Sequence, residues 1–173
     1  MNKEKPTTTH KAGTARYFNP KSRRIYIDMD DTLCDFVGHY HKIKTQFPEL
    51  AYPQSLPGFF LDLEPLPGAI EAFDHLNRIP KTEVFISTAP SVLNPHSYTE
   101  KRLWIEAHLG LEAAYRLILS PNKGLLQGDF LIDDMSEGKG QEFFAGEHIH
   151  FGSARYPYWN SVLFHPDFGL FSE

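Results

Sequence analysis

The stretch RIYIDMDDTL, residues 24–33, decides the fold because it joins a short apolar run to a cluster of acidic residues. The run at residues 25–27 is typical of a β-strand that is buried on both faces. Asp28 and Asp30 follow where that strand ends. Converging carboxylates repel one another, so both stay charged only where a cation or hydrogen-bond donors lie between them. These aspartates therefore indicate a reactive site, and a turn or a helix cap is the alternative that they also fit.

Four further short apolar runs occur along the chain, and most of them also end in polar residues. These runs cover residues 83–86, 116–119, 130–132 and 148–151. Apolar residues at helical spacing lie between them, over residues 68–76 and 98–109. Alternating strands and helices predict a parallel sheet with helices on both faces, which is a doubly wound, Rossmann-like α/β domain.

Chemically useful side chains follow three of the predicted strands, where ligands bind in such sheets. Thr88 offers a hydroxyl, Lys123 a mobile charge for phosphate, and Asp133 a hard oxygen ligand suited to Mg²⁺. Asp129 is excluded, because four extended residues place it about 13 Å from Asp133, at the opposite end of the strand. Two alternatives stay open, namely Thr88 as a helix cap and Lys123 as a solvated side chain.

Composition limits the class of protein. The chain has 173 residues, of which 41% are hydrophobic and 23% charged, as is usual for one globular domain. The single cysteine, Cys34, excludes an internal disulfide and fits a reducing cytoplasm. No apolar run approaches the roughly 20 residues of a membrane-spanning helix, and no signal peptide opens the chain. We therefore expect a cytoplasmic protein without a membrane partner.

The net charge of −5 is unevenly distributed, with +6 on residues 1–24 and −11 on the remainder. This predicts a basic, flexible arm over residues 1–22 and a single domain over residues 23–173. A proline-rich segment with one helix, at about residues 36–64, predicts a small cap insert, although a plain surface crossover is the alternative. A domain that binds double-stranded nucleic acid spreads cations over a folded face, which the acidic body does not provide. The basic arm nevertheless leaves contact with nucleic acid open.

The ordered set of DMDDTL, Ser87-Thr88, Lys123 and Asp133-Asp134 resembles the four motifs of the haloacid dehalogenase (HAD) superfamily of phosphatases. Longer blocks resemble the 5′(3′)-deoxyribonucleotidase family within it. They read DMDDTLCDF, LEPLPGA, VFISTAP, EKRLWIEAHLG and LIDD. The resemblance implies a HAD-type core with a small cap insert.

The resemblance also implies roles for five residues. Asp28 would attack phosphorus and form an aspartyl-phosphate, and Asp30 would protonate the leaving oxygen and then activate water. Mg²⁺ would bind Asp28, the backbone carbonyl of Asp30, and Asp133. Thr88 and Lys123 would bind the oxygens of the transferring phosphoryl group. The charge logic agrees, because an anionic nucleophile and an anionic phosphate repel each other unless cations offset the repulsion.

Five other positions receive supporting roles. Asp134 would lie beside the metal ligands or on a metal-bound water. The substrate pocket is predicted at Phe36, Phe59, Phe60 and Ala89, where aromatic faces suit a nucleobase. The alternative is that the phenylalanines only pack the cap onto the body.

The predicted function is a Mg²⁺-dependent phosphomonoesterase that acts on nucleoside monophosphates. The alternatives are a HAD phosphatase for another substrate, such as a sugar phosphate or a polynucleotide end, and a nucleotide-binding module without turnover. Lys101 and Arg102 are interpreted as a solvated helix face, although they could supply a cation to the phosphate. Aromatic residues near the C-terminus are expected to cover the sheet edge, with a homodimer surface as the alternative.

Overall fold

The computed structural model describes residues 22–169, and its centre is a five-stranded parallel sheet. The strands are β1 (Arg23–Ile27), β2 (Thr82–Thr88), β3 (Leu117–Leu119), β4 (Phe130–Asp133) and β5 (Glu147–His150). They lie in the order β3-β2-β1-β4-β5, and all neighbours are parallel. This confirms the predicted α/β class. The predicted basic arm lies outside the described residues, except for Ser22.

In the described part of the chain, five α-helices accompany the sheet: α1 (Phe36–Gln46), α2 (Ala69–Arg78), α3 (His96–Leu109), α4 (Leu111–Ala114) and α5 (Trp159–Leu163). Short 3₁₀ turns occur at Pro53–Ser55, Lys123–Leu125, Gln141–Phe143 and Pro166–Phe168. Both predicted helices are present, as α2 and α3, and α3 ends at Gly110, whose φ of 86° favours glycine. Among residues 22–169, each helix is too short or too polar to cross a lipid bilayer.

The two faces of the sheet are covered differently. Ile25 and Ile27 belong to the larger buried cluster, which includes residues of α2, α3 and α5. Tyr26 points the opposite way, as alternation along a strand requires, and joins a smaller cluster with Leu126 and Phe144. Within residues 22–169, none of the buried members of that cluster comes from an α-helix. Short turns therefore cover the face where the sequence predicted helices.

The strand order places β1 at the switch point of the sheet. The chain runs from β1 to β2 and β3 on one side, and then returns to β4 and β5 on the other. In this register Ile27 pairs with both Ile86 and Ile132. The residues that follow β1, β2 and β4 therefore emerge at one edge of the sheet, where ligands bind in doubly wound folds.

The two ends of the segment between β1 and α2 lie next to each other and are joined by hydrogen bonds. The Asp35 amide donates to the Glu64 carbonyl and the Leu66 amide donates to the Leu33 carbonyl, each at 2.9 Å. The Asp35 side chain caps α1 by accepting from the Gly38 amide at 2.8 Å. The structure thus shows a paired neck around residues 36–64, and the division of the chain into an arm, a domain and a cap stays a prediction.

Candidate active site

Three carboxylates converge at the carboxyl ends of β1 and β4. The Asp28 amide donates to the Ile132 carbonyl at 2.9 Å, which carries the strand pairing one residue beyond β1. Asp28, Asp133 and Asp134 each place an oxygen within 4.8 Å of the others. Asp28 and Asp133 are buried, and Asp134 is partly buried. The structure therefore brings Asp134 into the acidic cluster, and its position beside the metal ligands or on a metal-bound water stays a prediction.

Lys123 is the cation inside this acidic cluster. Its ammonium lies 2.7 Å from Asp28 Oδ1 and also binds Asp133 Oδ2. Its side chain is 1% exposed, so the solvated alternative is wrong. Burial lowers the pKa of Lys123, but the attraction of Asp28 and Asp133 outweighs burial and leaves that pKa above its ordinary value. Asn122 supports the position by capping the turn at Lys123–Leu125, where its side chain accepts from the Gly124 amide at 2.9 Å.

Negative charge exceeds positive charge in the cluster. Burial, followed by repulsion from Asp28 and Asp133, raises the pKa of Asp134 to about 7. Burial and Asp28 also raise the pKa of Asp133, despite the nearby Lys123. Three carboxylates against one lysine leave room for a further cation, and their hard oxygens are the ligands that Mg²⁺ prefers. The donor set therefore fits the metal that the sequence analysis predicted.

Polar groups from the loop after β4 orient Asp133. Its Oδ1 accepts from the Met135 amide at 2.9 Å. The side-chain amide of Gln141 lies 3.3 and 3.4 Å from the two carboxylate oxygens. The side-chain oxygen of Gln141 accepts from the backbone amide of Lys139 at 2.8 Å. The side-chain nitrogen of Gln141 therefore faces the Asp133 carboxylate. Both oxygens of Asp133 thus have hydrogen-bond donors from this loop, which orient the carboxylate.

The loop that carries the first acidic motif is supported from the far end of the chain. Thr32 accepts from the Asp134 amide through its hydroxyl at 3.2 Å. The carbonyl of Thr32 accepts from the indole of Trp159, on α5, at 2.9 Å. Trp159 is buried, so this hydrogen bond joins the loop to the packed interior of the protein.

Lys101 organises the other half of the site, and its interpretation as a solvated residue is wrong. The side chain is 0% exposed, and its ammonium lies 2.5 Å from Asp30 Oδ1. The same ammonium donates to the Thr88 hydroxyl at 2.9 Å. It also lies 4.7 Å from the centre of the Phe60 ring, within range of a cation–π contact. Arg102, by contrast, is exposed and pairs with Glu106 along the helix, as predicted.

A signal for Lys101 was present in the sequence. Lys101 precedes Trp104 by three residues and Ile105 by four, so all three lie on one face of α3. Both apolar residues are buried in the core. A lysine on the apolar face of a helix is rarely free in solvent, because burial of its charge requires a partner. Three consecutive charged residues, from Glu100 to Arg102, are typical of a solvated stretch, so the position of Lys101 on the apolar face is easily overlooked.

The predicted substrate pocket is largely packed in this structure. Phe59 and Phe60 are 3% and 2% exposed, so neither ring offers a free face to a base. Phe36 is partly exposed and packs on both rings, with centroids 5.4 and 6.1 Å away. Ala89 is partly exposed beside Thr88. These contacts favour the packing alternative for Phe59 and Phe60, and base recognition stays a prediction.

Two residues near the motifs lie outside the reactive group. The Asp129 carboxylate accepts from the Arg24 amide at 2.8 Å, at the amino end of the sheet, which agrees with its exclusion. Cys34 is fully buried, and burial raises the pKa of its thiol well above the ordinary value. Cys34 is therefore a packed residue and has none of the thiolate character that a nucleophile needs.

Comparison with known proteins gives consistent matches. A family model described as "5′ nucleotidase, deoxy (Pyrimidine), cytosolic type C protein" matches residues 50–162. A "Putative 5′(3′)-deoxyribonucleotidase" of Vibrio phage KVP40 is 44% identical, over 80% of this chain and 81% of its own length. The human "5′(3′)-deoxyribonucleotidase, cytosolic type" is 34% identical, over 83% of this chain and 80% of its own length. These similarities extend far beyond the acidic motifs.

One solved structure is also similar, at lower overlap. It is described as a "putative haloacid dehalogenase-like hydrolase" from Burkholderia xenovorans, with 16% identity and a TM-score of 0.40. The match covers 66% of this chain and 73% of that chain. The sequence relatives therefore carry the assignment.

Proposed function

Because this chain belongs to the 5′(3′)-deoxyribonucleotidase family, whose members are phosphoric monoester hydrolases, we propose that it hydrolyses nucleoside monophosphates with Mg²⁺ through an aspartyl-phosphate. The observation that carries the proposal is the position of Asp28. It lies in an acidic cluster with Asp133 and Asp134, and Lys123 contacts it directly. The proposed nucleophile, the proposed cation site and the proposed phosphate-binding charge would thus meet at one edge of the sheet.

Asp28 is the proposed nucleophile. Its carboxylate would attack phosphorus, forming a new oxygen–phosphorus bond while the ester bond to the nucleoside oxygen breaks. Lys123 lies 2.7 Å from one Asp28 oxygen, so a phosphoryl group that contacts Asp28 also comes within reach of this ammonium. Lys123 would then stabilise the negative charge that develops on the phosphoryl oxygens.

Asp28, Asp133 and the backbone carbonyl of Asp30 are proposed to hold Mg²⁺, with Asp134 directly beside them. Bound there, the ion would offset the repulsion between the carboxylate nucleophile and the phosphate. The acidic excess of the cluster supports this assignment, since a divalent cation would neutralise charges that Lys123 alone leaves unpaired.

Asp30 is the proposed acid and base. It would give a proton to the leaving nucleoside oxygen in the first step. In the second step it would take a proton from the water that attacks phosphorus, which releases phosphate and regenerates Asp28. Its side chain is 18% exposed, so it is open to substrate on one side while Lys101 holds it on the other. Thr88, which accepts from the same lysine, is proposed to donate its hydroxyl hydrogen to a phosphoryl oxygen.

The test is phosphate release from purified protein with and without Mg²⁺. We expect turnover of p-nitrophenyl phosphate and of deoxynucleoside monophosphates, its loss in EDTA, and its recovery when Mg²⁺ is added back. A panel that includes ribonucleotides, sugar phosphates and end-phosphorylated oligonucleotides separates a nucleotidase from the other phosphatases. Binding of nucleotides without phosphate release would identify a module without turnover.

The covalent intermediate has its own measurement. After acid quenching during turnover, we expect the phosphoryl group on the peptide that contains Asp28. The Asp28→Asn variant should carry none, because an amide cannot attack phosphorus. Turnover without any such adduct would contradict this mechanism while leaving the hydrolase assignment intact.

A cytoplasmic location is part of the proposal. It is supported by the single, buried Cys34 and by the cytosolic type named for the human relative. Fractionation of cells that express the protein at its natural level tests it.

A further inference from the structure

Glu100, the neighbour of Lys101 on α3, directs a buried carboxylate at the insert. Its Oε1 accepts from the Gly58 amide at 2.6 Å, and its Oε2 accepts from the Phe60 amide at 3.2 Å. A buried carboxylate is costly unless donors satisfy it, and two backbone amides do so here. The turn at residues 58–60 is therefore held by a charged group that belongs to the body of the protein.

Two other buried side chains hold the insert on either side of this turn. The Asn94 side chain donates to the Gln54 carbonyl at 2.9 Å. The Trp104 indole donates to the Leu63 carbonyl at 2.7 Å. By contrast, every residue of α1, in the first half of the insert, keeps part of its surface exposed. The second half of the insert is thus fixed at three points, one from Asn94 just before α3 and two from α3 itself, with Glu100 in the middle.

Phe60 connects this anchor to the reactive group. Its backbone amide is bound by Glu100, and its ring lies 4.7 Å from the Lys101 ammonium. That ammonium lies 2.5 Å from Asp30. A cation over an aromatic face is attracted to it, and more strongly where water is excluded. The position of the ring therefore influences where the ammonium, and with it the Asp30 carboxylate, comes to rest.

We propose that Glu100 is a positioning residue for the reaction: by fixing the turn at residues 58–60, it holds Phe60 against Lys101 and so sets the place of Asp30. This role rests on the proposed function, in which Asp30 transfers the protons. It gives the insert a part in the chemical step in addition to any part in binding substrate.

The principal test is Glu100→Gln, with Glu106→Gln as the matched control on the same helix. A glutamine of the same size has one acceptor oxygen, so it cannot satisfy both amides. We expect kcat to fall about 10-fold and KM to change less than about twofold, because proton transfer is misplaced while binding is kept. Glu106 is partly buried and pairs with Arg102 along the helix, and its variant loses charge only from that pair, so we expect it to stay close to the wild type.

Phe60→Leu, alone and combined with Glu100→Gln, tests whether Glu100 acts through Phe60. If Glu100 acts through Phe60, the single variants lower kcat similarly and the double variant is no slower than either one. Independent, multiplicative losses would overturn the route, and a rise in KM alone would assign these residues to the substrate pocket. If Glu100→Gln does not fold, Phe60→Leu decides, since an unchanged kcat there overturns the proposal.

The wild-type enzyme separates this role from the proposed function. Active wild-type enzyme together with an unchanged, folded Glu100→Gln variant overturns only the positioning role. Absence of phosphate release from every substrate of the panel overturns the proposed function, and the positioning role with it. Amide hydrogen exchange adds a readout without turnover, since the amides of Gly58 and Phe60 should exchange faster in Glu100→Gln than in Glu106→Gln.

Discussion

Lys123 and Lys101 are both buried lysines that bind aspartates of the same short motif, yet their surroundings differ. Lys123 contacts Asp28 and Asp133, and Asp134 lies in the same cluster. Lys101 contacts one carboxylate, that of Asp30, together with a hydroxyl and an aromatic ring. The part of the site around Lys123, here called the Lys123 side, carries an excess of negative charge. In the part around Lys101, here called the Lys101 side, one positive charge faces one negative charge.

This difference in charge suits the two sides of the site to different roles. An excess of buried negative charge is costly in the absence of a further cation, so the Lys123 side is suited to a metal and to a phosphate bound through it. The balanced Lys101 side has no such requirement, and its contacts instead fix the orientation of Asp30. Variants on the two sides should therefore respond differently to Mg²⁺.

The largest effect is expected for Asp28→Asn, which removes the proposed nucleophile from the Lys123 side. We expect kcat to fall at least about 10⁴-fold, as is usual when a covalent nucleophile is lost. Asp129→Asn, at the amino end of the same sheet, is the matched control and should keep wild-type turnover. Phosphate release measures the turnover of both variants. A fully active Asp28→Asn variant would contradict the distinction between the two sides, because the Lys123 side would then not contain the nucleophile.

Lys123→Met should lower kcat by about 10³-fold, since it removes the charge that is proposed to stabilise the phosphoryl oxygens. Without metal it should also cost about 3–5 kcal/mol of unfolding free energy, because two buried carboxylates lose their partner. Urea denaturation with and without Mg²⁺ measures this loss. Mg²⁺ should restore part of the stability by supplying a cation to the same carboxylates, and a loss that is insensitive to Mg²⁺ would contradict a metal site on this side.

Lys101→Met should lower kcat about 10²-fold, because Asp30 and Thr88 lose the group that orients them. Its stability should depend on Mg²⁺ no more than that of the wild type, since no excess charge is created beside the metal ligands. Arg102→Met, the next residue on the exposed side of α3, is the control and should be close to wild type. Equal Mg²⁺ responses of the Lys101 and Lys123 variants would remove the distinction between the two sides.

The smallest effect is expected for Asp134→Asn, which changes one oxygen donor of the acidic cluster and removes a negative charge. We expect the Mg²⁺ concentration for half-maximal activity to rise about 10-fold, with kcat at saturating Mg²⁺ kept within about threefold. Thermal shift with Mg²⁺ gives the same affinity without turnover. An unchanged affinity would place Asp134 outside the influence of the metal.

The Lys123 side could be predicted from the sequence, whereas most of the Lys101 side could not. Asp28 and Asp133 each follow a short apolar run, as Thr88 on the Lys101 side also does, and the carboxyl ends of parallel strands must meet at one edge. Lys101 comes from the middle of a helix, and its contacts depend on how α3 is rotated against the sheet. That rotation is set by the burial of Trp104 and Ile105, which local charge patterns do not reveal.

The packing of the insert was equally hard to foresee. Phe59 and Phe60 fit both a pocket wall and a packed core, because aromatic residues serve in either place. Glu100 decides between them by binding the backbone of their turn, from 40 residues away for Phe60. Such long-range hydrogen bonds leave no periodic trace in the sequence.

The bond between Trp159 and the carbonyl of Thr32 joins residues that are 127 positions apart. A ribosome therefore completes the acidic motif long before it adds the indole that supports it. Until then the nascent chain carries the proposed nucleophile without this support, so we expect the loop of the acidic motif to reach its final position only after α5 has left the exit tunnel and docked.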